Sequence, residues 1–275
     1  MNHQFGEYNS FRVAYNDYFL DNNDPTIEDN QYHNPSAGLT YFFDSPWGFE
    51  VNGDYTRGEF EFSDSVDVFT GYVGLLRAFG KHFIGHIRYT HVVVNYQGEE
   101  NDDQTYNPSI GFEYNIEKDI SVYLDAGYFH NDFKLREDVD AFNGTLRLIK
   151  KYEHGQINLS ALGGFDYSFF GAENLGFSEF YEGAVSGNYQ LAKFVAGHFF
   201  GSYRNTDYKD QGDRTDKRTT VGAGLYWQAF EWMNIGLGYR YQTLDSTIET
   251  DNYDENRVNV TITLSPAVPF HTSRY

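Results

Sequence analysis

Hydrophobic and polar residues alternate with a period of two along most of the chain, and residues 117–134 show this pattern most clearly. One parity there carries Ile120 and Leu124, and the other carries Ser121 and Asp125. Successive side chains of a β-strand point to opposite faces, so the pattern predicts a strand with one apolar and one polar face. A strand of about fifteen residues is also long enough to cross a bilayer at a tilt.

The connections between the patterned segments alternate strictly between short and long. Turns of a few residues are predicted at 45–48, 80–82, 117–119, 153–155, 191–193 and 229–233, and longer, mostly acidic segments lie between them. We count roughly fourteen patterned segments, and single-chain outer-membrane barrels of bacteria have even strand numbers. The sequence therefore predicts an all-β, transmembrane, antiparallel up-and-down β-barrel with short periplasmic turns and long acidic extracellular loops.

Composition agrees with one domain in a membrane. The chain has 275 residues, and no Pro- or Ser-rich linker divides it, so we expect a single domain 1–275, with a wall from about 9 to 265 and a tail at 266–275. The mean hydropathy of -0.60 is that of a soluble protein, but it averages two opposite faces. No apolar run is long enough for a transmembrane helix. The start at Met1 lacks a basic and apolar leader, so we expect a mature sequence without its export signal.

The charge is strongly acidic and unevenly distributed. The net charge of -20 excludes nucleic acid as a partner, because little could neutralise a phosphate backbone. Much of the acid falls between the strands, at 21–29, 99–103, 136–140, 207–216 and 245–255. These segments lack the fixed spacing of a calcium loop, so we predict no metal site and no cofactor. Such carboxylates could still bridge to lipopolysaccharide through divalent cations.

Aromatic residues cluster beside the short turns. They are Phe43, Trp47, Phe79, Phe83, Phe194, Phe230 and Trp232. Such a cluster is typical of the aromatic girdle at a membrane interface. The alternative is a large soluble β protein in which these rings form the core.

The polar parity of the strands predicts which side chains line the lumen. The candidate pore-lining residues are Arg12, Glu50, Asp54, Asp67, Arg77, His86, Arg88, Glu113, Asp125, Arg147, Asp166, Glu182, His198, Arg204 and Arg240. Aromatic rings that could offer flat surfaces there are Tyr123, Phe129, Phe180 and Tyr226. A barrel of this size is too wide for side chains alone to fill, so an aqueous lumen is expected. Guanidinium groups match carboxylates and stack on rings, which favours small polar solutes or acidic saccharides. The alternative is that these charges pair with each other and only keep the lumen wet and rigid.

Catalytic chemistry has little support in the sequence. Glu50 and Asp54 lie four residues apart on one face, but nothing marks either as an acid with a raised pKa. His33, His91 and His130 have no signature that links them to a nucleophile. We therefore predict no catalytic residues and no enzyme.

The C-terminal hairpin carries a family resemblance. Residues 232–264 have the sequence WMNIGLGYRYQTLDSTIETDNYDENRVNVTITL, in which an aromatic turn and a strand with alternating glycines precede Tyr-Asp-x-Asn-Arg-Val and a final alternating strand. This pattern resembles the putative β-barrel porin 2 family of bacterial outer-membrane proteins. The resemblance implies an outer-membrane channel, with some relatives associated with exopolysaccharide export, and it supplies no catalytic residues.

The end of the chain departs from that family pattern. These barrels usually stop at an aromatic residue of the last strand, whereas here Pro266 and Pro269 interrupt the pattern and Phe270 is followed by further residues. Either the tail lies outside the wall, or Tyr275 serves as the terminal aromatic residue.

Three functions follow from these expectations. The first is an outer-membrane channel for small polar solutes or saccharides, one form of which is the pore of an exopolysaccharide export system with periplasmic partners. The second is a barrel closed by its loops that acts as an adhesin or assembly partner. The third is an outer-membrane hydrolase. For the channel we expect weak cation selectivity, because the outer loops are acidic although the lumen charges are mixed.

Overall fold

Fifteen β-strands account for most of the computed structural model, which describes residues 2–5, 9–21, 29–43, 46–98, 102–168, 175–209 and 214–265. The strands are β1 (Asn2–Gln4), β2 (Ser10–Leu20), β3 (Asn30–Phe42), β4 (Trp47–Phe60), β5 (Val66–Ala78), β6 (Phe83–Tyr96), β7 (Asp103–Ile116), β8 (Ile120–Phe133), β9 (Val139–Tyr152), β10 (Gly155–Ser168), β11 (Gly176–Ala192), β12 (Val195–Tyr208), β13 (Thr215–Phe230), β14 (Met233–Ser246) and β15 (Tyr253–Leu264). A single 3₁₀ turn, Glu249–Asp251, is the only helical element of these described ranges.

All fifteen strands form one antiparallel sheet in chain order. Strands β2 to β15 are the predicted fourteen, and β1 is a three-residue strand that pairs with the start of β2. Within the described part of the chain, the sheet begins at β1 and ends at β15, and these end strands are not paired with each other. The up-and-down antiparallel fold predicted from the periodicity is confirmed.

The lengths of the connections alternate as the sequence predicts. From β2 onward, connections at one end of the sheet have two to four residues and those at the other have five to nine. We call these the short-turn end and the long-loop end, which are periplasmic and extracellular in bacterial outer-membrane barrels. The predicted turn residue Ser45, most of the acidic segments 21–29 and 99–103, residues 210–213 of the acidic segment 207–216, and the tail 266–275 lie outside the described residues.

Side-chain exposure separates two faces of the sheet. In β8, Asp125 and Phe129 are buried, while Leu124 and Tyr128, the residues directly before them, are exposed. Cross-strand partners share a face, so the registers extend this division to neighbouring strands; we call the shielded face inner and the other outer. The exposed outer face is apolar along the middle of the strands: it carries Val51, Val73, Ile87, Ile110, Leu146, Leu159, Val221, Leu225, Leu237, Val260 and Ile262.

At the long-loop end β10 separates from β9, and the ends of β10 and β11 turn inward while β11 stays paired with β12. Strand β9 pairs with β10 only as far as Gly144 and Gly163. Beyond that point, residues 164–167 of β10 and 176–180 of β11, which we call the inturned ends, contact the inner face of strands β5 to β9. Tyr167 shows the displacement most directly, because its hydroxyl contacts Asp103 and Thr105 of β7.

An apolar cluster holds the inturned ends in place. Phe129 and Phe177 are fully buried, with ring centroids 6.1 Å apart, and Phe165 packs 4.9 Å from Phe129. A neighbouring cluster of β5 and β6 valines, which includes the fully buried Val66 and Val94, also packs against Phe165 and Tyr167. Part of the inner face is therefore apolar and dry. No helix in the described residues is long and apolar enough to cross a bilayer.

Candidate functional site

The inner face carries a partly buried ion pair between β4 and β6. Arg88 donates from Nε and Nη2 to Oε1 of Glu50, at 2.8 and 2.6 Å. Its guanidinium carbon lies 4.9 Å from the centre of the Tyr72 ring. Glu50 can reach Arg88 across β5 because Gly74 lies between them, where a Cβ would come within 2.7 Å of Oε1 of Glu50.

A second polar group lies next to this pair, towards the short-turn end. His86 Nε2 is 2.7 Å from Oδ2 of Asp125, to which the Ser109 hydroxyl also donates at 3.2 Å. The imidazole stacks on the Tyr123 ring with centroids 5.8 Å apart. His86 and Asp125 are 7% and 8% exposed, so both are fixed parts of the wall.

Arg204 of β12 forms the centre of a third group, beside the inturned ends. Its Nη2 donates to Oδ2 of Asp166 at 2.7 Å, and Nη1 lies 3.6 Å from Oε2 of Glu182. The guanidinium carbon is 3.9 Å from the centre of the Phe180 ring. With side-chain exposure of 28% for Arg204 and 47% for Asp166, this group is open to the lumen.

The last strands add two smaller groups. Arg240 donates from Nη2 to Oε2 of Glu255 at 3.0 Å, and Arg257 contacts the other oxygen of that carboxylate. His198 stacks on the Tyr226 ring, with centroids 5.1 Å apart. The inner face thus combines cations, carboxylates and flat rings around the curved sheet.

The registers place most of the predicted lining residues on this inner face. They are Arg12, Glu50, Asp54, His86, Arg88, Glu113, Asp125, Arg147, Asp166, Glu182, His198, Arg204 and Arg240. The structure brings Glu50 together with Arg88, and Asp166 and Glu182 together with Arg204. Arg12 and Arg147 make no ion pair with any described side chain, although Arg147 lies 5.9 Å from the Tyr123 ring.

Two predicted lining residues, Asp67 and Arg77, lie on the outer face instead. Asp67 accepts hydrogen bonds from Tyr55 and Gln97, and the Arg77 guanidinium carbon lies 4.8 Å from the Trp47 ring. The parity of β5 was assigned wrongly because this strand is hydrophobic on both faces. Its inner-face valines at the long-loop end are covered by the inturned ends, so they need not be polar.

The position of Phe129 also corrects the sequence interpretation. Its ring lies on the predicted inner parity but is fully buried under Phe165 and Phe177, so it offers no surface to a solute. Conversely, Phe165 and Tyr167 share the parity of the outer-face residues of β10, such as Leu159, yet they pack inside the sheet.

Several inner-face charges escaped the sequence analysis because they were assigned to loops or left out of the strands. They are Asp103, Lys151, Asp216, Arg218, Glu255 and Arg257. Asp103 and Asp216 belong to strands that begin inside predicted acidic loops. Extending the period of two backwards from Asn107 or Thr220 would have found them.

Ion pairs at the long-loop end connect neighbouring strands and loops outside the wall. Burial raises the pKa of Asp102, but hydrogen bonds from the Tyr96 backbone and from Lys134 outweigh this, so the pKa lies below its usual value. Burial likewise lowers the pKa of Lys209, while Asp207 and Glu179 raise it by more, so the net shift is upward. Both pKa shifts mean that the charged forms are favoured, and these charged forms make the ion pairs at the long-loop end. No three His, Cys, Asp or Glu side chains of the described ranges are grouped so that they could hold a metal ion.

Comparison with solved structures shows the same fold in bacterial outer-membrane proteins. Two forms of the FrpB iron transporter from Neisseria meningitidis match with TM-scores of 0.63 and 0.59, at 8% and 9% identity, over 89% and 92% of this chain. The chain spans about half the length of these transporters, 50% and 53%. The outer-membrane channel DcaP of Acinetobacter baumannii matches with a TM-score of 0.50 at 10% identity, over 94% of this chain and 95% of that one.

Comparison with family profiles adds a sequence match, while no curated protein matches the chain. Residues 178–265, from β11 to the end of β15, match the family described as "Putative beta-barrel porin 2". The predicted outer-membrane location is confirmed by the family match, and the solved structures show the same fold in outer-membrane proteins. The chain is therefore a porin-like bacterial outer-membrane β-barrel whose C-terminal strands resemble the "Putative beta-barrel porin 2" family.

Proposed function

We propose that this barrel is a channel for small polar solutes, with a preference for saccharides that carry a carboxylate. The observation that carries the proposal is the arrangement around Arg204, where a guanidinium group lies on the Phe180 ring between two carboxylates and is partly exposed to the lumen. A sugar ring can stack on the Phe180 ring, and the carboxylate of the sugar can replace Asp166 at the guanidinium group. The carboxylates of the site can accept hydrogen bonds from the sugar hydroxyl groups.

The Arg88 group supports the same preference from another part of the wall. Tyr72 and Tyr123 contact its guanidinium group, and Glu50 neutralises it. Exchange of Glu50 for a solute is harder here, because Glu50 is only 8% exposed. Arg204 is therefore expected to have the larger effect on passage.

Conductance across a planar bilayer tests the channel itself. We expect stable open steps from the purified barrel. A correctly folded barrel that never conducts would contradict the proposal.

Liposome swelling with galacturonate and with a neutral sugar of similar size tests the preference. Arg204→Ala should lower the entry of galacturonate several-fold relative to the neutral sugar, and Arg88→Ala should have a smaller effect. Arg77→Ala is the matched control, because that arginine lies on the outer face. An equal loss in all three variants would mean that the inner-face arginines have only structural roles.

A second candidate function, a closed barrel that acts as an adhesin or assembly partner, is favoured by one observation. The inturned ends occupy part of the lumen at the long-loop end. The same feature makes passage of a thick polysaccharide chain harder than passage of single sugars. Absence of conductance across a planar bilayer, together with retained binding to cell surfaces, would favour the closed barrel.

A further inference from the structure

We propose that the inturned ends of β10 and β11 set the size limit of the channel, and that Tyr167 is the positioning residue that holds them across the lumen. This inference rests on the proposed channel function. It assigns a role to residues 164–167 and 176–180, which the strand pattern alone places in the wall.

Polar contacts fix the inturned ends to the opposite inner face. The Tyr167 hydroxyl lies 2.9 Å from Oγ1 of Thr105, accepts a hydrogen bond from Nδ2 of Asn131 at 3.2 Å, and contacts Oδ1 of Asp103. Thr105 and Asn131 are fully buried, and Asp103 is 3% exposed. Buried polar groups are costly to leave unpaired, so this one hydroxyl secures three side chains on two strands.

Apolar packing surrounds these contacts. Phe165 and Phe177 stack 6.0 Å apart, and Phe177 meets Phe133 edge to face at 5.4 Å. The rings cover the inner-face residues Val139 and Ala141 of β9. An apolar surface of this kind inside a water-filled lumen is stable only while it stays covered, which favours the inward position.

The other side of the inturned ends faces the remaining space. Phe180 and Asp166 project there and meet Arg204. A barrel of about fourteen strands has a backbone diameter of roughly 25 to 30 Å, and a packed second layer lies about 10 Å inside its wall. The inturned ends therefore remove a large part of the cross-section at the level where the Arg204 group lies, so every solute must pass beside that group.

Weakening the contacts that hold the inturned ends should widen the channel. We expect Phe165→Ala with Phe177→Ala to raise single-channel conductance about twofold, since about half of the width at this level is blocked, and to admit larger neutral oligosaccharides in liposome swelling. Tyr167→Phe removes only the hydroxyl group, so single channels should switch frequently between the lower and the higher conductance. Tyr181→Ala is the matched control, because Tyr181 lies on the outer face of β11 and is 64% exposed. A purely structural role would lower the unfolding temperature without moving the size limit.

Protection of an introduced thiol reports the position of the inturned ends without any conductance. The chain has no cysteine, so Ala141→Cys provides a single reactive group beneath the Phe165 and Phe177 rings. It should react slowly with a maleimide in the otherwise unchanged barrel, and at least tenfold faster when combined with the two alanine substitutions.

These measurements separate this inference from the proposed function. Conductance in the unchanged barrel with the same size limit in every variant would overturn the inference and leave the channel function standing. A silent barrel that conducts once the rings are removed would support the inference and overturn the open channel. A silent barrel whose introduced thiol reacts equally fast in all variants would overturn both.

Discussion

Glycine residues of the inner face make room for the large side chains of neighbouring strands. A Cβ on Gly111 would lie 2.7 Å from the His86 ring and 2.3 Å from the Leu124 carbonyl oxygen. A Cβ on Gly224 would lie 2.3 Å from the His198 ring. These side chains therefore lie flat along the wall instead of projecting into the lumen, which keeps the lumen wide while the wall stays polar.

The residue-scale prediction concerns Gly111. Gly111→Ala should lower the free energy of unfolding by about 1–3 kcal/mol, because the new methyl group crowds both His86 and the β8 backbone. Urea unfolding in lipid vesicles would measure this change. Gly183→Ala is the control, since a Cβ there meets nothing within 4 Å, and it should be neutral or slightly stabilising. Equal effects of the two substitutions would contradict this account of the glycines.

Strands β5 and β8 show when an alternation with a period of two identifies the inner and outer faces of a strand. Strand β8 has clean alternation, and its inner and outer residues were predicted correctly. Strand β5 is hydrophobic on both faces, because the inturned ends cover its inner valines and the outer face carries Val73 and Leu75. The pattern within β5 contains no information about a covering segment that lies five strands away.

The element-scale prediction tests the face assignment of β5. Val73→Arg places a charge on the apolar outer face near the middle of the strand, where it should cost about 2–4 kcal/mol of unfolding free energy in a bilayer. Thr70→Arg, on the inner face of the same strand, should cost much less because its side chain can reach water. Urea unfolding of both variants in vesicles measures the difference, and the reverse order would show that the two faces are exchanged.

The fold and the candidate site were not equally predictable from the sequence. Strand number, antiparallel order and connection lengths follow from local alternation, so the fold was accessible from the sequence. Ion pairs such as that of Glu50 with Arg88 depend on register and on Gly74 between them, which no single strand encodes. The inturned ends were inaccessible, because Phe165 and Tyr167 keep the outward parity of β10 while the whole strand end changes position.

For the whole molecule, the outer face has the layers of a membrane protein. Aliphatic residues occupy the middle of the strands, and Trp47 and Trp232 lie at the short-turn end, where Phe230 stacks on Trp232 at 5.4 Å. Tryptophan favours the interface between hydrocarbon and headgroups. In a bilayer, the backbone groups along the outer edge of β15 also require hydrogen-bond partners, because no water is available to them there.

Tryptophan fluorescence tests this layering. Trp47, Trp227 and Trp232 are the only tryptophans of the chain, and all lie on or near the short-turn end. Lipids brominated near the headgroups should quench their emission more strongly than lipids brominated near the chain ends. Stronger quenching from the bilayer centre would contradict the predicted position, and no quenching by either lipid would contradict membrane insertion.

The contact between Tyr167 and Asp103 joins residues 64 positions apart in the sequence. Chain segments so distant meet late, because the two intervening strands, β8 and β9, must first pair in order. During assembly the barrel would thus pass through a stage in which the lumen has its full width. The lumen would narrow only when the ends of β10 and β11 turn inward as the final step. A refolding experiment should accordingly show strand formation first and protection of the aromatic cluster afterwards.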